Sequence, residues 1–71
     1  MRNLELDLQK IKGRITEKNL KQEELANDLG ITVQALGNKL SGRTDFKHSE
    51  LTKVFTKLQV TKEELPIFFK L

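Results

Sequence analysis

Apolar residues recur at three- and four-residue intervals along most of this chain, and short polar stretches interrupt them at a few sharp points. Leu4, Leu8, Ile11 and Ile15 fall on one stripe of a helix running from about residue 3 to 18, with Asn19 placed to stop it in a left-handed turn. A second, shorter helix spans Gln22 to Leu29: Leu25, Ala26 and Leu29 share a side, and Gly30 follows where the chain needs positive φ to turn. Thr32 offers a hydroxyl to cap a third helix, which runs to about Leu40 before Ser41-Gly42 ends it. After the polar loop "SGRTDF", Leu51, Val54, Phe55 and Leu58 repeat at helical spacing, predicting a fourth helix over 48 to 58 with Phe46 plugging the core ahead of it. In "TKEE", Thr61 precedes Glu64 by three residues, the capping-box signature, so a fifth short helix is expected to begin there, limited by Pro66. The ending "IFFKL" fits helix or strand equally, and no alternating pattern predicts a sheet. The expected fold is an all-α, compact bundle of about five short helices forming a single domain over residues 1–71.

Composition narrows the function. A chain of 71 residues is near the lower size at which a core closes without disulfides or metal, so modest stability is expected. With no Cys and one His, structural zinc and disulfide frameworks are excluded, and the chain suits a reducing, cytoplasmic setting. The apolar runs are too short for a membrane span or the core of a signal peptide. The net charge of +3 names no partner by itself, but its distribution is uneven. Residues 10 to 21 carry Lys10, Lys12, Arg14, Lys18 and Lys21 against Glu17 alone, whereas residues 22 to 31 carry Glu23, Glu24 and Asp28 without a cation. Such a run reads either as a solvated helix face or as an electrostatic footprint for a polyanion.

Catalysis finds little support. His48 has no nucleophile or ligand cluster in view, and the pairs Glu23-Glu24 and Glu63-Glu64 sit at helix starts, where carboxylates favour the helix dipole. No catalytic residue, metal or cofactor is expected.

The second and third helices carry the most information. A connection as short as "LGIT" forces them to cross steeply over a small residue, which Ala26 supplies, while Leu25, Leu29, Ile31, Leu36 and Leu40 fill the joint. With Leu36 inward, a rotation of about 100° per residue takes Leu40 inward too and sends Gln34, Asn38 and Ser41 outward. A helix fits the DNA major groove, where adenine sets an acceptor beside a donor, and the amides of Gln34 and Asn38 can meet both at once.

The run "QEELANDLGITVQALGNKL" resembles the helix-turn-helix of lambda-repressor-like and Cro-type phage regulators, and "NKLSGRTDF" is similar to the small phage-repressor branch. Gln22 opens the first helix of the motif, Ala26 sits at the crossing, Gly30 makes the turn, Ile31 is buried and Leu36 anchors the second helix. The resemblance covers about residues 5 to 65 and departs at two places: Lys21 stands where the family has Ser or Thr, and Lys39 where an apolar residue is common, Leu40 taking the packing role.

The resemblance implies a sequence-specific, double-stranded DNA-binding transcriptional regulator, Cro-like or a short phage repressor, in the cytoplasm of a bacterial host. Expected base contacts are Val33, Gln34, Gly37, Asn38 and Lys39; Val33 either meets a thymine methyl or joins the core, and Gly37 suggests close approach of DNA or of another helix. Expected phosphate contacts are Lys18, Lys21, Gln22, Thr32, Arg43, Thr44 and Lys47, with Arg14 adding long-range attraction. Lys39 and Arg43 suit guanine as well as phosphate. Regulators of this shape pair as homodimers on near-palindromic operators, and Ile67, Phe68 and Phe69 are the expected interface unless the phenylalanines close the core against the first and fourth helices. The alternative is a protein-interaction module, such as an antirepressor or antitoxin, that uses DNA weakly or not at all. The 71 residues leave no room for a sensory or cleavable domain, although a piece of a longer repressor would read the same.

Overall fold

The computed structural model describes residues 6–69, and these form four α-helices and one 3-10 helix. The helices are α1 (Leu8–Glu17), α2 (Gln22–Leu29), α3 (Val33–Ser41) and α4 (His48–Lys57), followed by the 3-10 helix Leu65–Phe68.

All four α-helices end alike. A left-handed residue follows each: Asn19 (φ 56°), Gly30 (φ 71°), Gly42 (φ 87°) and Gln59 (φ 56°). The next N–H then reaches back to the carbonyl five residues earlier, Leu20 to Ile15, Ile31 to Ala26, Arg43 to Asn38 and Val60 to Phe55, at 2.9–3.0 Å. This satisfies carbonyls the last turn would otherwise orphan and turns the chain sharply toward the next helix. Glycine at residues 30 and 42 removes the Cβ penalty of that conformation.

The first helix starts later than its apolar stripe predicts. Asp7 is the N-cap, itself extended (φ −88°, ψ 91°) and accepting from the Lys10 N–H at 3.2 Å; Leu6 forms an antiparallel bridge with Phe69, and the Asp7 N–H donates to the Phe68 carbonyl at 2.7 Å. A carboxylate cap satisfies a helix N–H that an apolar residue cannot. Leu4, assigned to the stripe from sequence, lies outside the described residues.

The expected fifth α-helix is replaced by a turn and the 3-10 helix. The capping box itself forms, with the Thr61 N–H on Glu64 Oε1 at 3.2 Å and the Glu64 N–H on Thr61 Oγ1 at 3.3 Å. Pro66 then falls five residues past Thr61, where an α-helix needs an N–H that proline lacks; the chain tightens into 3-10 geometry and extends at Phe69 (φ −124°, ψ 141°).

The core comprises Ile11 and Ile15 of α1, Leu25, Ala26 and Leu29 of α2, Leu36 and Leu40 of α3, and Leu51 and Val54 of α4, closed by Leu6, Phe46, Leu58 and Phe68. Phe46 is 1 % exposed, the plug expected of it. α2 packs on both α3 and α4, while α1 packs on α3 and on the 3-10 helix. Arg14 fastens that last contact. Its guanidinium is bonded to both Glu64 oxygens, to Glu17 at 3.2 Å and to the Leu58 carbonyl at 3.4 Å, and it lies 5.3 Å from the Phe68 ring centre. An outward, steering role for Arg14 is therefore corrected to a structural one.

Candidate nucleic-acid interface

The roll of α3 decides which side chains it offers. Thr32 Oγ1 accepts the Ala35 N–H at 3.0 Å and fixes the start of the helix; Leu36 and Leu40, at 0 % and 2 % exposed, are held against the core. Gln34 and Ser41 consequently face solvent, and Gly37 and Asn38 are half-buried beside them. Val33 stands 45 % exposed, so it belongs to the outer face rather than the core. Between Asp28 and Asp45 the chain carries no acidic residue, and α3 with its flanks therefore forms an amidic surface with no carboxylate of its own.

Gly37 has nothing within 4 Å of where a Cβ would stand. Of the two close approaches its presence suggested, the one by another helix is overturned.

The loop after α3 continues the exposed surface. The Asn38 carbonyl accepts the Arg43 and Thr44 N–H groups at 2.9 and 3.3 Å as well as the Ser41 hydroxyl at 3.0 Å, so the backbone is anchored while the side chains of Arg43 and Thr44 stay exposed. Lys47, also exposed, is the N-cap residue of α4.

Lys39 goes the other way. Its side chain is only 12 % exposed, and its ammonium sits 3.0 Å from Glu50 Oε1, 2.9 Å from the Asp45 carbonyl and 5.9 Å from the Phe46 ring centre. Its stem is buried while its head finds polar partners, as a long cationic side chain permits. The assignment of Lys39 to base reading is corrected accordingly, because its donors are already directed into the protein. Its partner Glu50 is 7 % exposed and also accepts the Lys47 N–H at 2.8 Å. Burial pushes the Glu50 carboxyl up, but that N–H and the Lys39 ammonium outweigh it and hold the group below the ordinary carboxylate value. Glu50 was not singled out in the sequence; its signal was a carboxylate three residues into a helix, a capping position.

The remaining expected phosphate contacts are dispersed. Lys21 and Gln22 are exposed at the start of α2, where Lys21 makes no side-chain cap and the first turn also carries Glu23 and Glu24. Those carboxylates complement the helix dipole and so compete with an anion there. Lys18 is exposed, with its ammonium 2.9 Å from Gln59 Oε1. Thr32 is exposed, and its Oγ1 accepts the Ala35 N–H, an arrangement that still lets the hydroxyl donate to a phosphate.

The three C-terminal interface candidates divide. Phe68 is 2 % exposed and packs against Phe55 with ring centres 6.0 Å apart; Phe69 is half-buried and meets Phe55 edge-on at 6.1 Å. Phe68 is thereby corrected from interface to core, since a side chain already buried within one chain has no surface left for another. Ile67, 50 % exposed, is the one that faces out.

Among the described residues, no group of three or more His, Cys, Asp or Glu could hold a metal ion, and no helix is long and apolar enough to cross a membrane. The chain belongs to a family described as a protein of unknown function (DUF739), whose model matches residues 4–70. No curated protein and no solved structure matches it.

Proposed function

We propose that this DUF739 member is a sequence-specific double-stranded DNA-binding transcriptional regulator of the Cro-like or short-repressor kind, in which α2 and α3 act as a helix-turn-helix and α3 enters the operator major groove. The observation that carries this reading is the fixed roll of α3, which directs Gln34 and Val33 outward beside Asn38 on a surface free of acidic side chains of its own. An exposed amide on a helix is suited to the paired acceptor and donor of adenine, and an exposed Val to the thymine methyl. Arg43, Thr44 and Lys47 continue that surface toward the flanking phosphates, with Lys18, Lys21 and Gln22 as further backbone contacts. The protein acts in the cytoplasm without cofactor or catalysis, occupying an operator. One helix reads only a few base pairs, so two copies bind half-sites about 34–36 Å apart, with Ile67 the exposed candidate for their contact.

Selection of bound duplexes from a random pool, followed by titration of the winner against a scrambled duplex, tests the proposal. Enrichment of a near-palindrome bound at least about a thousandfold more tightly than the scramble is expected. Binding without sequence preference, or none, contradicts it and favours the protein-interaction alternative.

A further inference from the structure

The buried pair beneath the end of α3 does something that apolar packing there could not. Lys39 comes from α3 and Glu50 from α4, and the pair grips the backbone between them: Lys39 Nζ donates to the Asp45 carbonyl at 2.9 Å, and Glu50 Oε1 accepts the Lys47 N–H at 2.8 Å. The same carboxylate oxygen takes the Lys39 ammonium at 3.0 Å. At its other end the segment is held by the Asn38 carbonyl, and in its middle by buried Phe46. Two apolar residues of similar size would fill this space without the cost of desolvating two charges. They would leave the Asp45 carbonyl and the Lys47 N–H without these partners. What the pair adds is therefore the path of residues 43–47, the segment whose exposed side chains are Arg43, Thr44, Asp45 and Lys47.

We infer that Lys39 and Glu50 are positioning residues that hold the 43–47 segment in the shape presenting Arg43, Thr44 and Lys47 to the DNA backbone. This rests on the DNA-binding reading above. Neither side chain touches DNA; both act through the segment they fasten. A preorganised loop binds without first being ordered, and that ordering cost is what their loss introduces.

The test is a double-mutant cycle on the full chain, scored on a selected duplex and on a scrambled one. Lys39→Met with Glu50→Met replaces the pair by apolar residues and leaves no buried charge unpaired, so the variant is expected to fold, with at most a modest drop in melting temperature from the two lost backbone contacts. Its affinity should fall about tenfold on both duplexes, since phosphate contacts carry no sequence information. Arg43→Ala should weaken wild type clearly but be nearly silent in the double variant, whereas Lys21→Ala, at a distant helix start, should cost the same in both. Glu50→Gln keeps the shape without the charge and should give the same coupling to Arg43 in weaker form, which covers the case in which the double variant fails to fold. Unchanged affinity in the folded variants, or a full Arg43→Ala cost in both backgrounds, overturns the inference. A wild type that binds neither duplex overturns the DNA-binding reading first, and this inference with it.

Discussion

Arg14 and Arg43 are the same residue in two regions of the molecule that use it in opposite ways. At the seam between α1 and the 3-10 helix, Arg14 is 14 % exposed and spends its donors on Glu64, Glu17 and the Leu58 carbonyl, joining α1 to the 3-10 helix together with the Leu6–Phe69 bridge. Beyond α3, only the backbone of Arg43 is tied down, to the Asn38 carbonyl, and its side chain is left exposed. Lys39 and Lys47 repeat the contrast within nine residues, one turned into the Glu50 pair and the other exposed. Positive charge in this protein is thus of two kinds. One kind holds elements together, the other is available to a polyanion, and position along the chain does not tell them apart.

The largest effect should come from the seam. Phe68→Ala is expected to cost about 3–5 kcal/mol in urea or thermal unfolding, as truncation of a buried aromatic does, while Ile67→Ala next to it stays within about 0.5 kcal/mol, as exposed substitutions do. Equal losses would mean that the seam is not core. On the α3 side, Gln34→Ala should leave the melt unchanged and lose about 1–3 kcal/mol on the preferred duplex with little change on a scramble. Equal losses on both duplexes would reassign Gln34 to the backbone. The two arginines should separate in a salt titration: Arg43→Ala reduces the magnitude of the log–log slope by about 0.9 without lowering the melting temperature, whereas Arg14→Met lowers the melting temperature and keeps the slope.

Acid should act on both fastenings. The Arg14 guanidinium holds the Glu64 carboxyl below its ordinary value of 4.5, and Glu50 is also held low. Because both are depressed in the folded chain, their stabilisation is complete above that ordinary value and is lost as the pH falls through their folded-state values. Melting temperature should therefore be flat near neutrality and drop below about pH 4.5, less steeply in Glu50→Gln. The smallest effect compares two helix glycines with open space around them: Gly13→Ala and Gly37→Ala should each raise stability by up to about 1 kcal/mol. Only Gly37→Ala should also weaken DNA binding, if its surface meets the groove.

The helix pattern was legible because each signal was local. Thr32 caps, Asn19, Gly30 and Gly42 turn, and Leu36 and Leu40 face in, all through atoms within a few residues of one another. Gln59 adopts the same left-handed turn, although glutamine carries no sequence preference for it. What sequence left hidden is non-local. Arg14 lies 50 residues from Glu64, and Lys39 and Glu50 come from different helices and meet beside the buried Phe46. The late start of α1 likewise depends on pairing with Phe69 at the far end of the chain.

The central claim is that DNA meets the α3 side of the protein and not the α1 seam, and an amide NMR titration of wild type with its selected duplex reads this directly. The account predicts shifts concentrated between Thr32 and Thr44 and at Lys47, with smaller ones at Lys18, Lys21 and Gln22, and with Lys10 and Gly13 undisturbed. Shifts centred on α1 and the 3-10 helix, with α3 unmoved, would contradict it.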